Sequence, residues 1–490
     1  MEPIIKSTKR WSEFCYDPAA WMERAFHLKV VGYPELAAGD AFKAKTLARA
    51  RLDVLRGKPT TIGQKVRPYT EQEMEHLLLR SILLIAETLQ LLDESSGMQE
   101  LCNEGLNLSP SNPDLQQLSE VAARILAGKQ HQAGRLPRNS DPYVKIVSTG
   151  RILNEPYPFL APKHMTRSEE TVHAVQGAFE VVSSNCSLAP RRFSSESSSK
   201  AEGFGVYANA DVKPGSKVFE DQTILGATDT SSSAPLSFRD SGICDNCCGS
   251  LPRSSKQRIK CKHCSALYCS EYCHTAALMF YHQAMCGQNY DWLFKGLRGM
   301  DPNRHEMSGP MWLRVLSTCV QSDCHPLDHP LIARLVPHSD TAGNPRAWTL
   351  RHNIIRPNKI LLQLGVDIFQ DLRYDTWVLQ NVGIRLTTNQ HGRRTKNGRP
   401  IRAVSSLYSF LNHSCEPNAE WKCAQVKDGA TAHESTTIIV STTRSIKNGE
   451  EICIDYNDVG HIRDKIRRQK SLVPWFPDGA CECTRCQRES

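Results

Sequence analysis

From Asp17 to about Leu126 the apolar positions keep a helical rhythm. Leu78, Ile82, Ile85 and Leu89 stand four, three and four residues apart, which aligns them on one face of a helix and predicts a core-facing stripe. The alanine-rich segments Pro34-Glu35-Leu36-Ala37-Ala38-Gly39-Asp40-Ala41 and Leu47-Ala48-Arg49-Ala50 belong to the same pattern. The most apolar stretch, Leu77 to Leu92, is interrupted by Arg80 and Glu87 and is too short to span a bilayer, so it reads as a buried helix and no membrane partner is expected. Asn107-Leu108-Ser109-Pro110-Ser111-Asn112-Pro113 breaks the rhythm, and Leu115, Leu118, Ala122 and Ile125 resume it. Antiparallel helix pairs are the expected result.

The later chain reads differently. Residues 191–200 are serine-rich without apolar periodicity and mark a flexible linker, after which a new domain is expected to start. A second Ser/Thr-rich run, 228–233, precedes a cysteine cluster and suggests that the cluster is inserted into a larger fold. Ile452-Cys453-Ile454 alternates and reads as a strand. In the helical region, the 107–113 break resembles the turn between tetratricopeptide repeats, without a clean period of about 34 residues, so the region is TPR-like: a scaffold or a peptide-binding surface.

Composition bounds this picture. Apolar residues make up 40% of the 490 and charged residues 23%, the balance of a folded chain, with room for two to four domains of roughly 100–200 residues. Sixty Lys and Arg against 52 Asp and Glu give +8, short of a dedicated nucleic-acid binder and compatible with an acidic surface partner. The basic stretches, Arg393-Arg394-Thr395-Lys396 with Arg399 and Arg402, and Arg463 to Lys470, read as solvated faces, with substrate docking or nuclear import as the alternative. Lys6, Lys9, Arg10, Glu13, Asp17 and Glu23 interrupt the first 30 residues, so no secretory signal is expected and the chain should act in the nucleus, the cytoplasm or both.

Nineteen cysteines in a long chain expected to stay where thiols are reduced point to metal rather than disulfides. Cys244 and Cys247 are separated by two residues, as are Cys261 and Cys264; Cys269, Cys273, His282 and Cys286 follow. These eight soft or borderline donors fill two closed tetrahedral zinc sites, which makes them structural. Registers using Cys248, or His263 or His274 in place of His282, remain open. Metal is expected to supply much of the folding free energy of so short a segment. Near the C-terminus, Cys481, Cys483 and Cys486 need a fourth ligand, and Cys415, 66 positions before Cys481, is the obvious donor. About three zinc ions follow. Cys15, Cys102, Cys186, Cys319, Cys324, Cys423 and Cys453 read as ordinary buried side chains.

Gly203-Phe204-Gly205-Val206-Tyr207-Ala208, Asn412-His413-Ser414-Cys415-Glu416-Pro417-Asn418, Arg444 to Ile452 and Asp455-Tyr456 resemble the successive motifs of the SET domain. Tyr268-Cys269-Ser270 before Cys273 resembles the MYND zinc finger. Together they resemble the SET-and-MYND protein lysine methyltransferases over residues 200–490, most weakly between 290 and 400. The resemblance implies an α+β chain: a β-clip SET domain with an inserted MYND finger, a zinc-binding post-SET tail and the N-terminal TPR-like domain. The implied segments are 1–165 helical, 166–200 linker, 201–243 SET N-terminal part, 244–286 finger, 287–400 mainly helical insert, 401–460 SET C-terminal core and 461–490 tail. By the same resemblance the finger ligands interleave, Cys244, Cys247, Cys269 and Cys273 on one ion and Cys261, Cys264, His282 and Cys286 on the other.

The family's activity is transfer of the methyl of S-adenosyl-L-methionine to a lysine, which must be neutral although a free lysine has a pKa of ~10.4. The resemblance assigns Tyr456 to the reacting amine and methyl, and Gly203, Phe204, Gly205, Asn412 and His413, with Tyr456 and Phe476, to the cofactor. Asn381 is the candidate for an intervening cofactor-contacting asparagine, though Val382-Gly383-Ile384 matches poorly. Trp475 or Phe476 would wall the lysine channel, although Pro477-Asp478-Gly479-Ala480 departs from the family's usual spacing to the first tail cysteine. The expected partner is a protein substrate, histone or non-histone, with a Pro-rich peptide possible at the finger. The rival reading is a non-catalytic SET/MYND adaptor in transcriptional regulation; Asn412, His413 and Tyr456 argue against it, since a scaffold has no chemical need for them.

Overall fold

A computed structural model describes residues 14–58, 68–132, 151–152, 157, 160–191, 203–222, 225–228, 242–252, 254–293, 309–335, 346–394, 400–428, 431–456, 458–472, 475–476 and 481–489. Most of the 191–200 linker, most of the 228–233 run, residues 395–399 and residues 477–480 lie outside them. The chain divides into two compact units, 1–153 with 345–380, and 154–344 with 381–490.

Among the described residues, the N-terminal part of the first unit holds the helices α1 (Pro18–Val30), α2 (Pro34–Leu55), α3 (Glu71–Leu91), α4 (Ser95–Leu108) and α5 (Pro113–Gln132), each packed on the next. Thr70 and Glu73 form a capping box that starts α3, and the predicted stripe Leu78, Ile82, Ile85 and Leu89 is buried. The 107–113 break ends α4 at Leu108, and Pro113 opens α5, where Asn112 Oδ1 accepts the Leu115 amide at 3.0 Å. Leu115, Leu118 and Ala122 join the core with Ile354 from the returning segment. A charge network lies inside this unit. Arg24 bonds Asp40 at 2.5 Å and Asp375 at 3.0 Å, while Lys43, fully buried, stands 3.4 Å from Asp375 and 4.4 Å above the Trp21 ring.

The second unit is built from short sheets. Strand β1 (Cys186–Pro190) pairs antiparallel with β2 (Phe204–Ala208). β3 (Lys217–Asp221) lies beside β9 (Thr431–Thr442), which also pairs with β8 (Ala419–Asp428). β4 (Leu225–Thr228) and β5 (Gln390–Arg394) flank β6 (Pro400–Val404). The two-residue strands β7 (Asn412–His413) and β10 (Cys453–Ile454) run parallel. Val206, Phe219, Phe410, Leu411, Ile438, Val440, Ile452 and Ile454 fill the shared core. Sheets with helices segregated beside them give the α+β class.

Residues 169–190, expected within a linker, form the helix Glu169–Val182 and strand β1 instead. Val175 and Phe179, four residues apart, bury one face of that helix against Leu188 and Phe219, so the segment belongs to the core. The cysteine-rich segment docks on the sheets: the Thr436 amide donates to the Cys247 carbonyl at 3.0 Å. Arg314, on the helix Gly309–Gln321, lies 3.5 Å over the Tyr281 ring and donates to the carbonyls of Gly226 (3.2 Å) and Asp245. Among the described residues no helix is long and apolar enough to cross a membrane.

Candidate functional site

Among the described residues three quartets of ligand atoms come together, each with all four atoms within 4.8 Å of one another: Cys244, Cys247, Cys269 and Cys273; Cys261, Cys264, His282 and Cys286; Cys415, Cys481, Cys483 and Cys486. Cys248, His263 and His274 stand outside them. Four thiolates about 2.3 Å from a tetrahedral zinc are about 3.8 Å from each other. The observed Sγ separations match: 3.6 Å for Cys247–Cys269 and Cys269–Cys273, 3.7 Å for Cys261–Cys286, and 3.9 and 3.6 Å from Cys415 to Cys481 and Cys486. His282 Nε2 lies 3.3 Å from Cys261 Sγ and 3.5 Å from Cys264 Sγ. These are nearly twice a disulfide bond of about 2.05 Å, so the sulfurs are not disulfide-bonded and have the spacing of ligand edges. Backbone amides of Cys269, His263, Ala266 and Cys415 donate to Cys244, Cys261, Cys264 and Cys483 sulfurs, each at 3.4 Å, as thiolates require. The residues fit structural zinc at all three places.

A fourth group, His164, His325 and Asp328, is of another kind. Lys163 Nζ sits 2.9 and 3.0 Å from the two Asp328 oxygens and His164 Nε2 is 2.7 Å from one of them, so the carboxylate is already neutralised by a cation and forms an ion-pair cluster.

The third quartet is joined to the parallel strands. His413, on β7, is buried; its Nδ1 accepts the Tyr456 amide at 2.9 Å and its Nε2 faces Cys415 Sγ at 3.2 Å. With Nδ1 accepting, the hydrogen-bond network assigns the ring proton to Nε2, pointed at sulfur. Burial lowers the His413 pKa to about 4, which keeps the ring neutral. Asn412 Nδ2 donates to the Phe204 carbonyl (2.9 Å) and to Glu451 Oε1 (2.7 Å), so the side-chain capacity it has left to offer is the Oδ1 acceptor. A Cβ on Gly205 would stand 2.6 Å from Glu451 Oε1 and 3.2 Å from Asn412 Nδ2, so a side chain there would push these polar ends aside. The backbone from Phe204 to Gly205, Asn412 and His413 thus forms one polar cradle, with Gly203 at its entry bonded through its carbonyl to the Arg191 amide at 2.6 Å. Its acceptors suit an ammonium group.

Tyr456 stands at the other side of the same strand pair. Its hydroxyl donates to the Leu411 carbonyl at 2.5 Å, and burial raises its pKa, so it is a neutral phenol at physiological pH. Trp475 lies 5.4 Å from the Tyr456 ring, and Phe476 is stacked on it at 6.4 Å and 6.0 Å from His413. Both tail aromatics therefore meet this tyrosine. Asn381 is buried in the helix Thr376–Asn389, whose Thr388 carbonyl accepts the Trp475 indole N–H at 3.3 Å.

Several residues here escaped the sequence reading. Asn418 Nδ2 donates to the Glu451 carbonyl and its Oδ1 accepts the Cys453 amide, both at 2.8 Å, clamping β10 beside the cradle. Glu451 holds Asn412 and pairs with Arg191 at 3.5 Å. Asp455 accepts the amides of Val459 (3.1 Å) and Gly460 (2.6 Å), closing the turn after Tyr456. Asn418, Glu451 and Asp455 lie inside the quoted motifs, so their position was a signal; Arg191 carried none.

Residues 203–457 match the SET domain family. The chain is similar to the histone-lysine N-methyltransferase SET5 of Yarrowia lipolytica, 24% identical over 311 residues that cover 59% of this chain and 63% of that protein. It is also similar to the protein-lysine N-trimethyltransferase SMYD5 of Mus musculus, 23% identical over 377 residues covering 59% of this chain and 85% of the relative. The SET domain-containing protein SmydA-8, isoform A, of Drosophila melanogaster is 25% identical over 297 residues, 59% of this chain and 55% of that protein.

Proposed function

The chain belongs to the SET domain family, in its SET-and-MYND group, and we propose that it is an S-adenosylmethionine-dependent protein-lysine N-methyltransferase. One observation carries the reading: the Gly203–Gly205 backbone, Asn412, His413 and Tyr456 gather around the parallel pair β7 and β10, with the tail aromatics against the tyrosine. When bound, S-adenosylmethionine supplies a methyl already activated on a sulfonium, so no catalytic metal is required. Asn412 Oδ1 and the neighbouring backbone hold its amino-acid end. His413 fixes the loop between cofactor and tail. The phenol of Tyr456, with the Leu411 carbonyl, orients the lysine amine, and Trp475 and Phe476 exclude water from it; positioning of this kind can supply most of the acceleration.

The three quartets hold structural zinc, the first two as a MYND-type finger inserted in the SET domain and the third as a post-SET closure. Exposed Tyr272 and Met279 on the helix Glu271–Phe280 give the finger an apolar face for a Pro-rich peptide. The substrate is a histone or another protein, and the chain acts in the nucleus, the cytoplasm or both, which imaging of a fluorescent fusion tests. The decisive assay is transfer of labelled methyl from S-adenosylmethionine into a cell extract, run beside Tyr456→Phe and Asn412→Ala, with mass spectrometry of the labelled product. Wild type should label lysine, and both variants should lose 100-fold or more, on the order of the loss from removing one transition-state donor. A wild-type protein that neither binds the cofactor nor labels any protein rules the proposal out.

A further inference from the structure

Behind the tyrosine lies a cation that the motifs do not explain. Arg167, just before the helix Glu169–Val182, places its guanidinium 4.0 Å over the ring of Phe410. Phe410 precedes Leu411, whose carbonyl receives the Tyr456 hydroxyl. Arg167 Nε donates to the Arg334 carbonyl at 2.7 Å, and its Nη2 is buried with no hydrogen-bond partner among the described residues.

Arg385 brackets the same two segments. It donates to the carbonyl of His164 at 2.7 Å and to that of Ile332 at 3.3 Å, while its Nε is likewise buried without a partner among the described residues. Two guanidiniums are thus held by carbonyls, and neither has a carboxylate within ion-pair distance among the described residues. Asp328, the acid that acts on Arg385, is already engaged by Lys163 and His164. Burial and the neighbouring Arg385 both act against the Arg167 charge, yet an arginine keeps its proton. A positive charge that costs the fold this much, set against the aromatic floor of the site, calls for a use.

We propose that Arg167 is a positioning residue whose charge, acting through Phe410, keeps the target lysine amine neutral at the Tyr456 hydroxyl. The inference rests on the methyl-transfer reading above. An ammonium brought to Tyr456 meets a like charge through low-dielectric protein and releases its proton to solvent, leaving the lone pair that attacks the methyl. A unit charge on the order of 10 Å away, at an effective dielectric of about 20, displaces the amine's titration by about one pH unit. Among the described residues the other charged or titratable groups facing Tyr456 are Arg191, Glu451, Cys453, Asp455, His413 and Tyr408. Glu451 is compensated by Arg191 and Asn412, Asp455 by backbone amides, and burial raises the Cys453 thiol to about 12, so none of these replaces the unpaired cation.

The test uses the full chain, labelled S-adenosylmethionine and a heat-treated cell extract as acceptor, with initial rates from pH 6.5 to 10. Arg167→Gln, which keeps a donor for the Arg334 carbonyl, should move the rising limb about one pH unit higher, reduce the rate at pH 7.5 about tenfold, and converge with wild type at pH 10. Arg167→Lys should keep the wild-type limb, and Arg385→Gln should move it the same way by less. A rate loss equal at every pH, or coincident limbs in all variants, overturns the role of Arg167 while leaving methyl transfer intact. If Arg167→Gln does not fold, the Arg385→Gln limb decides. Absence of wild-type transfer at any pH overturns the methyl-transfer reading itself.

Discussion

Cys486→Ser tests the coupling between the tail and the cofactor loop. Cys486 is a member of the third quartet, 3.6 Å from Cys415 Sγ and 3.7 Å from Arg468 Nη2. Losing this ligand should release the tail ion, taking bound zinc from about three per chain to about two. Cys415 then reverts from a metal-held thiolate to a thiol, and the His413 Nε2 bond to its sulfur, 3.2 Å long, loses its charged acceptor. Hydrogen bonds to charged groups contribute about 1.5–3 kcal/mol, so full transmission weakens cofactor affinity by about 10- to 150-fold. Release also removes Trp475 and Phe476 from Tyr456, which acts in the same direction. Native mass spectrometry counts the zinc, and titration calorimetry with S-adenosylmethionine reads the affinity. A variant that has lost one zinc but binds the cofactor within twofold of wild type refutes the coupling.

Three further outcomes are expected. Gly205→Ala must break the Asn412–Glu451 bond to fit its methyl, so it should lower stability by about 1–3 kcal/mol and weaken S-adenosylmethionine binding by calorimetry; unchanged binding would mean the cradle does not hold the cofactor. Arg314→Met removes the buried cation between Tyr281, Gly226 and Asp245, and denaturant unfolding should show a loss of about 3–5 kcal/mol, with the cysteine-rich segment more open to protease; a loss below 1 kcal/mol would mean the segment is not anchored there. Asp221 accepts the amides of Leu407 (2.7 Å) and Tyr408 (2.9 Å), and burial raises its carboxyl to about 6 from an ordinary 3.8. The folded state therefore holds a proton that the unfolded chain has lost between pH 4 and 6, and this group's contribution to stability falls as pH rises through that window. Asp221→Asn should remove the fall, gaining about 3 kcal/mol on wild type between pH 4 and pH 7 in urea titrations; parallel curves would contradict the assignment.

Local quantities were readable along the chain. The spacing of Leu78, Ile82, Ile85 and Leu89 encodes a helix face because the period is set by the backbone, and that face is buried. Paired cysteines with two residues between them announce metal because a tight turn brings both sulfurs to one ion, and each quartet contains one such pair. Asn412, His413 and Tyr456 could be picked out by motif order, and the Tyr456 amide, two residues past β10, bonds His413 on β7. The helix within 169–182 was missed because its Ser-rich neighbours dominated the reading of the segment, although Val175 and Phe179 carried the period.

Contacts distant in sequence were not readable. The parallel pairing of Asn412 with Cys453, the Gly205 approach to Glu451, and the rivet from Arg314 to Asp245 join positions separated by tens to hundreds of residues, and no local pattern marks them. Arg24, Asp40, Lys43 and Asp375 look like ordinary surface charges on a helix until folding removes them from water, where each survives only through the others. The same holds for Arg167. Its identity is plain in the sequence, but its placement over Phe410, without a carboxylate to match it among the described residues, exists only once the chain has closed. Period and ligand spacing are properties of neighbouring residues and can be read in one dimension; burial, charge balance and the dielectric around a group depend on what the rest of the chain brings to it.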